Sequence, residues 1–374
     1  MNFDVSSTAL LSCLQSIVKV IASKNILPIL DDFLFELKDN TLTITASDND
    51  TRLVTSLEVM NVTGSGLFAI SSKILLEPLK ELPEQPLTFE INDKNLEVNL
   101  LFQNGKYNFI GHEGDVYPLQ KPLSDKVMSF DMEGQPLLKA VSRTLFATAD
   151  DELRPVMNGV YFDMQEDNIT FVASDGHKLV RIKYDDVKPG FRASFILPRK
   201  PAMLLRSLLA KESDSIAVKF DQNYAYFTHK SFQMICRLIE GRYPNYNSVI
   251  PTENPYSITL DRLSFLNALK RVSIFTSSST GLVRLKFSNN KLELSGQDFD
   301  FSTSAEEKMI CQYDGTDLQI GFKANFLIEI LNNLITDEVI ITIADAARPG
   351  LVLPVKNEEN EDVLMLIMPM MLND

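Results

Sequence analysis

Three stretches of this chain repeat one pattern at nearly even spacing, and that repetition restricts the fold more than any single motif does. Residues 3–21 read FDVSSTALLSCLQSIVKVI, residues 130–147 read FDMEGQPLLKAVSRTLFA, and residues 258–275 read ITLDRLSFLNALKRVSIF. Each is a short strand running into a helix with apolar periodicity. A strand pair follows each one: LDDFLFELKDNTLTITASDND at 30–50, MNGVYFDMQEDNITFVASDGH at 157–177 and GLVRLKFSNNKLELSGQDFD at 281–300. Asp48, Asp175 and Asp298 recur at intervals of 127 and 123 residues. A second helix comes next, at 71–82, 199–212 and 323–334, and strands alternating with period two close the copy, as in LTFEINDKNLEVNLLF at 87–102. The class is α+β, each copy packing two helices on antiparallel sheet. Proline-bearing junctions at PLQKPLSD and PTENPYS divide the chain into domains 1–125, 126–254 and 255–374.

The middle copy carries FVASDGHKLVRI at 171–182, with one of the three histidines in the chain. An aspartate beside a histidine can orient a general base or hold a metal. The equivalent turns, ASDNDTRL at 46–53 and SGQDFDFS at 295–302, contain no histidine. What the copies share is therefore a tight hairpin turn, for which Asp with Gly or Asn is suited, and His177 is particular to the middle copy.

The remaining chemistry-bearing residues do not form a catalytic set. His112, His177 and His229 are scattered, and no HExxH, GxSxG, phosphate loop or cysteine pair at ligand spacing occurs. SDNDT at 47–51 lacks the later glycine and glutamate of a calcium loop. No catalytic residue, metal or cofactor is expected. Cys13, Cys236 and Cys311 are an odd set, which fits reduced thiols in a cytoplasm and makes the sequons at Asn61 and Asn168 accidental. The first 21 residues hold Asp4 and an apolar run broken by Ser12, Gln15 and Ser16, so they read as an amphipathic helix and not as a signal peptide.

Net charge is −14, which taken whole argues against a polyanionic partner. The helices reverse that balance. Over the six helical segments (7–24, 71–82, 135–147, 199–212, 261–273 and 323–334) basic residues number 14 and acidic residues 5, a net of +9. Glutamate favours helices as well as lysine does, so propensity does not explain the segregation. A basic helical face with an acidic remainder can hold a polyanion on one surface and repel it elsewhere.

Repetition, basic helices and four motifs together resemble the bacterial DNA sliding clamp family, the beta subunit of the replicative DNA polymerase III. The motifs are ILPIL at 26–30, ASDGHKL at 173–179, GRYPNY at 241–246 and LIMPMML at 366–372, and the likeness runs from Met1 to Leu372. The resemblance implies three DNA-clamp domains per chain and a head-to-tail homodimeric ring. Such a ring encircles double-stranded DNA without sequence preference and tethers the replicative polymerase for processivity, with no catalysis of its own. Its partners would be polymerase, clamp loader and other proteins with clamp-binding peptides, and it would use no membrane. By the same resemblance, Lys24, Lys73, Arg154, Arg199 and Lys200 face DNA. Met157, Ser174, Gly176, His177, Lys178, Leu179, Pro244, Val249, Phe326, Met368, Pro369, Met370 and Leu372 form a hydrophobic peptide cleft between domains 2 and 3. The resemblance further sets Tyr107 and Phe109 against Ile274 and Phe275 of a second copy. The chain departs from the family at Met371, Ser248 and Thr280, extends by Asn373-Asp374, and holds Pro78 inside a helix, where a kink is expected. The competing reading is an acidic three-domain scaffold that binds peptides without encircling DNA.

Overall fold

The computed structural model describes residues 1–118, 123–124 and 126–372. The expected first boundary at Asp125 and the Asn373-Asp374 pair lie outside them. Among the described residues are six α-helices, two in each copy of the repeat: α1 (Ser7–Ile17), α2 (Ser72–Glu81), α3 (Gly134–Leu145), α4 (Arg199–Leu209), α5 (Arg262–Ser273) and α6 (Ala324–Asn332).

The copies repeat down to single hydrogen bonds. The first N–H of the leading helix is satisfied in each by the loop entering that copy's last strands: Ser7 to the Gln85 carbonyl at 3.0 Å, Gly134 to Asp214 at 3.1 Å, Arg262 to Asp337 at 2.8 Å. The hairpin aspartates also act alike. Asp48 Oδ1 accepts from the backbone N–H of Asp50 and Thr51, Asp175 Oδ1 from His177 and Lys178, and Asp298 Oδ1 from Asp300 and Phe301, all at 2.7–3.2 Å. A short carboxylate closing its own turn is the reason aspartate stands at all three positions.

The first helix is shorter than the 7–24 expected. It ends at Ile17, passes through a 3-10 turn at Val18–Val20, and leaves Lys24 in a bend. Val18, Val20 and Ile21 are β-branched and lose side-chain freedom in a helix, and Pro28 opens a separate 3-10 turn, Pro28–Asp31. Pro78 does lie inside α2, which nonetheless runs on to Glu81 with Leu75, Leu76 and Leu79 buried.

The chain divides into two compact units, one of residues 1–138 with 204–238, the other of 139–203 with 239 onward. Each is built on two antiparallel sheets. The first unit has a five-stranded sheet and a nine-stranded sheet; the second has an eight-stranded and a four-stranded sheet. The long sheets form because copies join edge to edge. Thr51–Glu58 of the first copy pairs with Gln233–Arg237 of the second, and Lys178–Tyr184 of the second pairs with Glu361–Ile367 of the third. The inward face of each sheet supplies the core, with Phe3 stacked on Phe89 at 4.8 Å, Phe35 on Phe68 at 5.3 Å and Phe162 on Phe195 at 4.5 Å.

Not all of the positive charge tallied on the helices reaches a surface. Arg143 of α3 points inward: its Nη1 lies 3.0 and 2.9 Å from the two carboxylate oxygens of Glu361, which also accepts from the Tyr184 hydroxyl at 2.8 Å. Lys139 on the same helix is bound to Glu358 at 2.5 Å, Arg271 of α5 to Glu307 at 2.6 Å, and Arg262 donates to the carbonyls of Leu331 and Thr336. Arg143 and Arg262 are thus taken up by the fold, while Lys139 and Arg271 stay exposed beside their acids, so the sequence tally overstates the free charge.

Candidate functional site

The hairpin of the middle copy, Ile169–Ser174 into Lys178–Tyr184, turns at Asp175-Gly176-His177. Gly176 sits at φ +89°, a left-handed conformation that requires glycine, and the mobile Arg154 guanidinium lies 2.7 Å from where a Cβ would stand. Arg154 is held by Asp151 Oδ2 at 2.8 Å and donates to the Asp175 carbonyl at 3.3 Å. The structure therefore places Arg154 against this turn, a role that its position in the sequence did not disclose.

Asp175 and His177 do not form a catalytic pair. One carboxylate oxygen of Asp175 closes the turn and the other takes the Lys178 ammonium at 2.6 Å. Burial raises the Asp175 carboxyl pKa, but the hydrogen bonds from Lys178 and the turn outweigh it and hold the group below its ordinary value. Lys178, itself buried, also reaches Glu329 at 3.2 Å and lies 4.4 Å from the centre of the Phe326 ring. His177 stacks on Phe326 with ring centres 5.9 Å apart, and its carbonyl accepts from the Met368 N–H at 2.8 Å.

The segment after Ile367 is thereby anchored twice, at Met368 to His177 and at Met370 to the Gly321 carbonyl at 2.8 Å. Gly321 has no room for a Cβ, which would come within 2.6 Å of Leu372. Beneath the hairpin, Leu179 is 2% exposed and packs in one cluster with Val172, Tyr243, Tyr246 and Leu366, with Ile250 at its margin. Met157 and Ser174 are buried; Pro244, Val249 and Met368 are exposed; Phe326, Pro369, Met370 and Leu372 are half-buried. Leu179 therefore belongs to a floor and Met368, exposed and bonded to His177, offers a flexible apolar rim, whereas Met157 and Val249 are not part of the Leu179 cluster. A site of this make-up suits an extended peptide with one or two apolar side chains. If the turn depends on Asp175 as drawn, Asp175→Ala should cost about 1.5–3 kcal/mol, the worth of hydrogen bonds to a charged group. Amide exchange at His177 and Lys178 should quicken accordingly. The depressed Asp175 pKa works in the same sense: its stabilisation is present above about pH 4 and is lost as pH falls through the lower folded value. Unchanged exchange in the variant would show that the turn is held by other contacts.

The cationic positions form a second pattern. Lys73 is the second residue of α2, and Arg199 and Lys200 are the first two of α4; all three are exposed. A cation in the first turn opposes the helix dipole by about 0.3–1 kcal/mol, and none of the six helices has an acidic residue there. Helix stability does not account for this arrangement. Lys24 is exposed but lies off the helix.

Comparison with known proteins gives the family. Family models of the DNA polymerase III beta subunit match in order, the N-terminal domain over residues 1–118, the central domain over 131–245 and the C-terminal domain over 247–371. The chain belongs to this family. The beta sliding clamp of Pseudomonas aeruginosa is 26% identical over 375 residues, covering 100% of both chains. The crystal structure of the DNA polymerase III subunit beta from Pseudomonas aeruginosa superposes with a TM-score of 0.93 at 24% identity, and the DNA polymerase sliding clamp from Bacillus subtilis with 0.93 at 21%, each over 100% of both chains. The threefold α+β clamp fold is thus that of the beta-subunit family.

Tyr107 and Phe109 lie on Gly105–Ile110, an edge strand of the five-stranded sheet, and Ile274 and Phe275 follow directly on α5. What sequence reasoning missed is the web around the hairpin: the contact of Arg154, named only as DNA-facing, with Asp175, and Glu329 and Lys323, whose ammonium lies 5.1 Å from the Phe326 ring centre. The one available signal was the spacing of Lys323, Phe326 and Glu329 on a helix, three residues apart and so on one face.

Proposed function

We propose that this chain is a sliding clamp: a cytoplasmic homodimeric ring that encloses duplex DNA, holds the replicative polymerase on it, and has no catalytic activity of its own. Polymerase, clamp loader and other partners dock short peptides at the hairpin between Ser174 and Lys178. The single observation that carries the reading is a pair of unmatched strand edges. Within the chain, the hairpin strand of copy one pairs with the last strand of copy two, and that of copy two with the last strand of copy three. The corresponding hairpin strand of copy three, Thr303–Ile310, and the last strand of copy one, Gly105–Ile110, are both sheet edges. A second copy satisfies both at once, head to tail, and the two junctions close the assembly.

Closure changes what DNA binding requires. A closed ring retains DNA by topology, so weak contacts to phosphate suffice, and weak contacts permit sliding. The test is retention on closed circular DNA followed by loss when the circle is cut; equal retention on both would favour the scaffold reading. Arg199→Glu with Lys200→Glu is expected to weaken loading. It should also flatten the salt dependence by about 0.9 in log–log slope for each phosphate no longer neutralised, with peptide binding unchanged. A variant that kept its DNA retention and lost peptide binding would show that these helices do not face DNA.

A further inference from the structure

Two equivalent places of the repeat, where a leading helix meets the next copy, are built in opposite ways. Ser7 and Gly134 begin α1 and α3 and make the same hydrogen bond, so Ser12 is the counterpart of Lys139 and Ser16 that of Arg143. On the other side, Cys236 faces Thr51 as Ile367 faces Lys178, and six residues earlier Lys230 is the counterpart of Glu361. Beside α3, Arg143 and Lys139 occupy the space and pair with Glu361 and Glu358. Beside α1, serines replace both cations, a lysine replaces Glu361, and a notch of ≈ 150 Å³ is left. At about 30 Å³ for each water, that is room for a few waters or one small ion.

Two exposed lysines border the notch, Lys19 just beyond α1 and Lys211 just beyond α4. The Lys19 ammonium donates to the Ser207 hydroxyl at 2.8 Å, and among the described residues neither lysine meets a carboxylate. Glu212, the one acid in the lining, is engaged otherwise: its Oε1 accepts from the Ser231 hydroxyl at 2.6 Å, and its Oε2 lies 3.8 Å from the His229 ring. Burial pushes the Cys13 thiol up, so it adds no negative charge near neutrality. Ser16 spends its proton on the Cys13 carbonyl at 2.6 Å, which leaves the hydroxyls of Ser12 and Ser207 as neutral donors beside the two ammonium groups.

We propose that this notch is a seat for one phosphate group, from a DNA backbone or as the free ion, held by Lys19 and Lys211 with the hydroxyls of Ser12 and Ser207. The cations that equivalent positions of α3 spend on glutamates are here left for an external anion, and charge-assisted hydrogen bonds are the strong ones. A recess of this size admits a phosphate and excludes a base, so the contact positions without reading sequence. None of Lys24, Lys73, Arg154, Arg199 and Lys200 borders it. The DNA source rests on the ring reading; the free-ion source does not.

The test uses the whole chain in chloride buffer and three variants. Lys19→Gln with Lys211→Gln removes the charge, Ser12→Met fills the recess from an exposed position without changing charge, and Lys94→Gln with Lys188→Gln removes equal charge elsewhere. For a backbone phosphate, the log–log salt slope of retention on closed circular DNA should become shallower by about 0.9 in the first two variants and stay unchanged in the third. For the free ion, the phosphorus NMR line of inorganic phosphate should broaden with the parent and the third variant, and keep its protein-free width with the first two. Either result supports the seat and names its source. If the parent is not retained on circles, the ring reading fails and the phosphate line alone decides the seat. No change in either measurement overturns the proposal. So does an equal change in the third variant, or loss on charge removal with Ser12→Met unaffected, both of which mean a diffuse positive field.

Discussion

Replacing the exposed apolar pair after α5 with aspartate (Ile274→Asp, Phe275→Asp) is expected to convert the protein to a monomer in sedimentation and to abolish its retention on closed circular DNA. Ile274 is 77% and Phe275 39% exposed in the single chain, directly beyond the C-terminus of α5, a helix that packs against the unpaired edge strand Thr303–Ile310. Large apolar side chains placed beside a free edge are a liability unless something covers them. Burying each contributes about 1.5–3 kcal/mol, so the pair supplies about 3–6 kcal/mol per junction, and a closed dimer has two. At 1.4 kcal/mol per tenfold, each junction weakens by about two to four orders of magnitude, before any cost of burying new carboxylates. An opened ring loses its topological hold, and phosphate contacts spread over a few lysines and arginines do not replace it. A persistent dimer would reject this surface as the junction, whatever happened to DNA binding.

Arg143→Ala is expected to be the most destabilising single change among the charged residues, costing about 3–5 kcal/mol in thermal or denaturant unfolding. The Arg143 and Glu361 side chains are 10% and 3% exposed, and removing the cation leaves a carboxylate in the interior with only the Tyr184 hydroxyl in close support. Tyr184 itself titrates well above its ordinary range, through burial first and the neighbouring Glu361 charge second, so it cannot restore the proton balance near neutrality. Replacing both partners together, Arg143→Met with Glu361→Met, should recover most of the stability, since two apolar groups leave no unpaired charge. At temperatures where Arg143→Ala stays folded, DNA retention should be unchanged, although a count of helix charges would include this arginine. Reduced retention in the folded variant would add Arg143 to the DNA-facing set.

That arginine shows how far the sequence reaches. The repeat, the two helices per copy, the antiparallel strands and the three hairpin aspartates were all legible, because they depend on local periodicity and on turns that a residue makes with its own neighbours. The helix charge surplus was legible too, but not its distribution. Arg143 and Arg199 look alike in sequence, and only packing tells that one meets Glu361, 218 residues away, while the other stands at an exposed helix start. Similarly, the sequence assigned Asp175 to a turn but left His177 open, and the structure shows one Asp175 oxygen closing that turn and the other taking the Lys178 ammonium.

By itself the sequence determined what each copy is: its elements, their order, the residues that close its turns and the family to which the whole chain belongs. Tertiary structure alone decided how copies join, which strand edges remain unmatched and which cations are consumed internally. The division has a physical cause. Helix periodicity and turn closure are set by residues a few positions apart, whereas edge pairing, ion-pair burial and open surface depend on groups brought together from more than a hundred residues away, and no local pattern encodes their meeting.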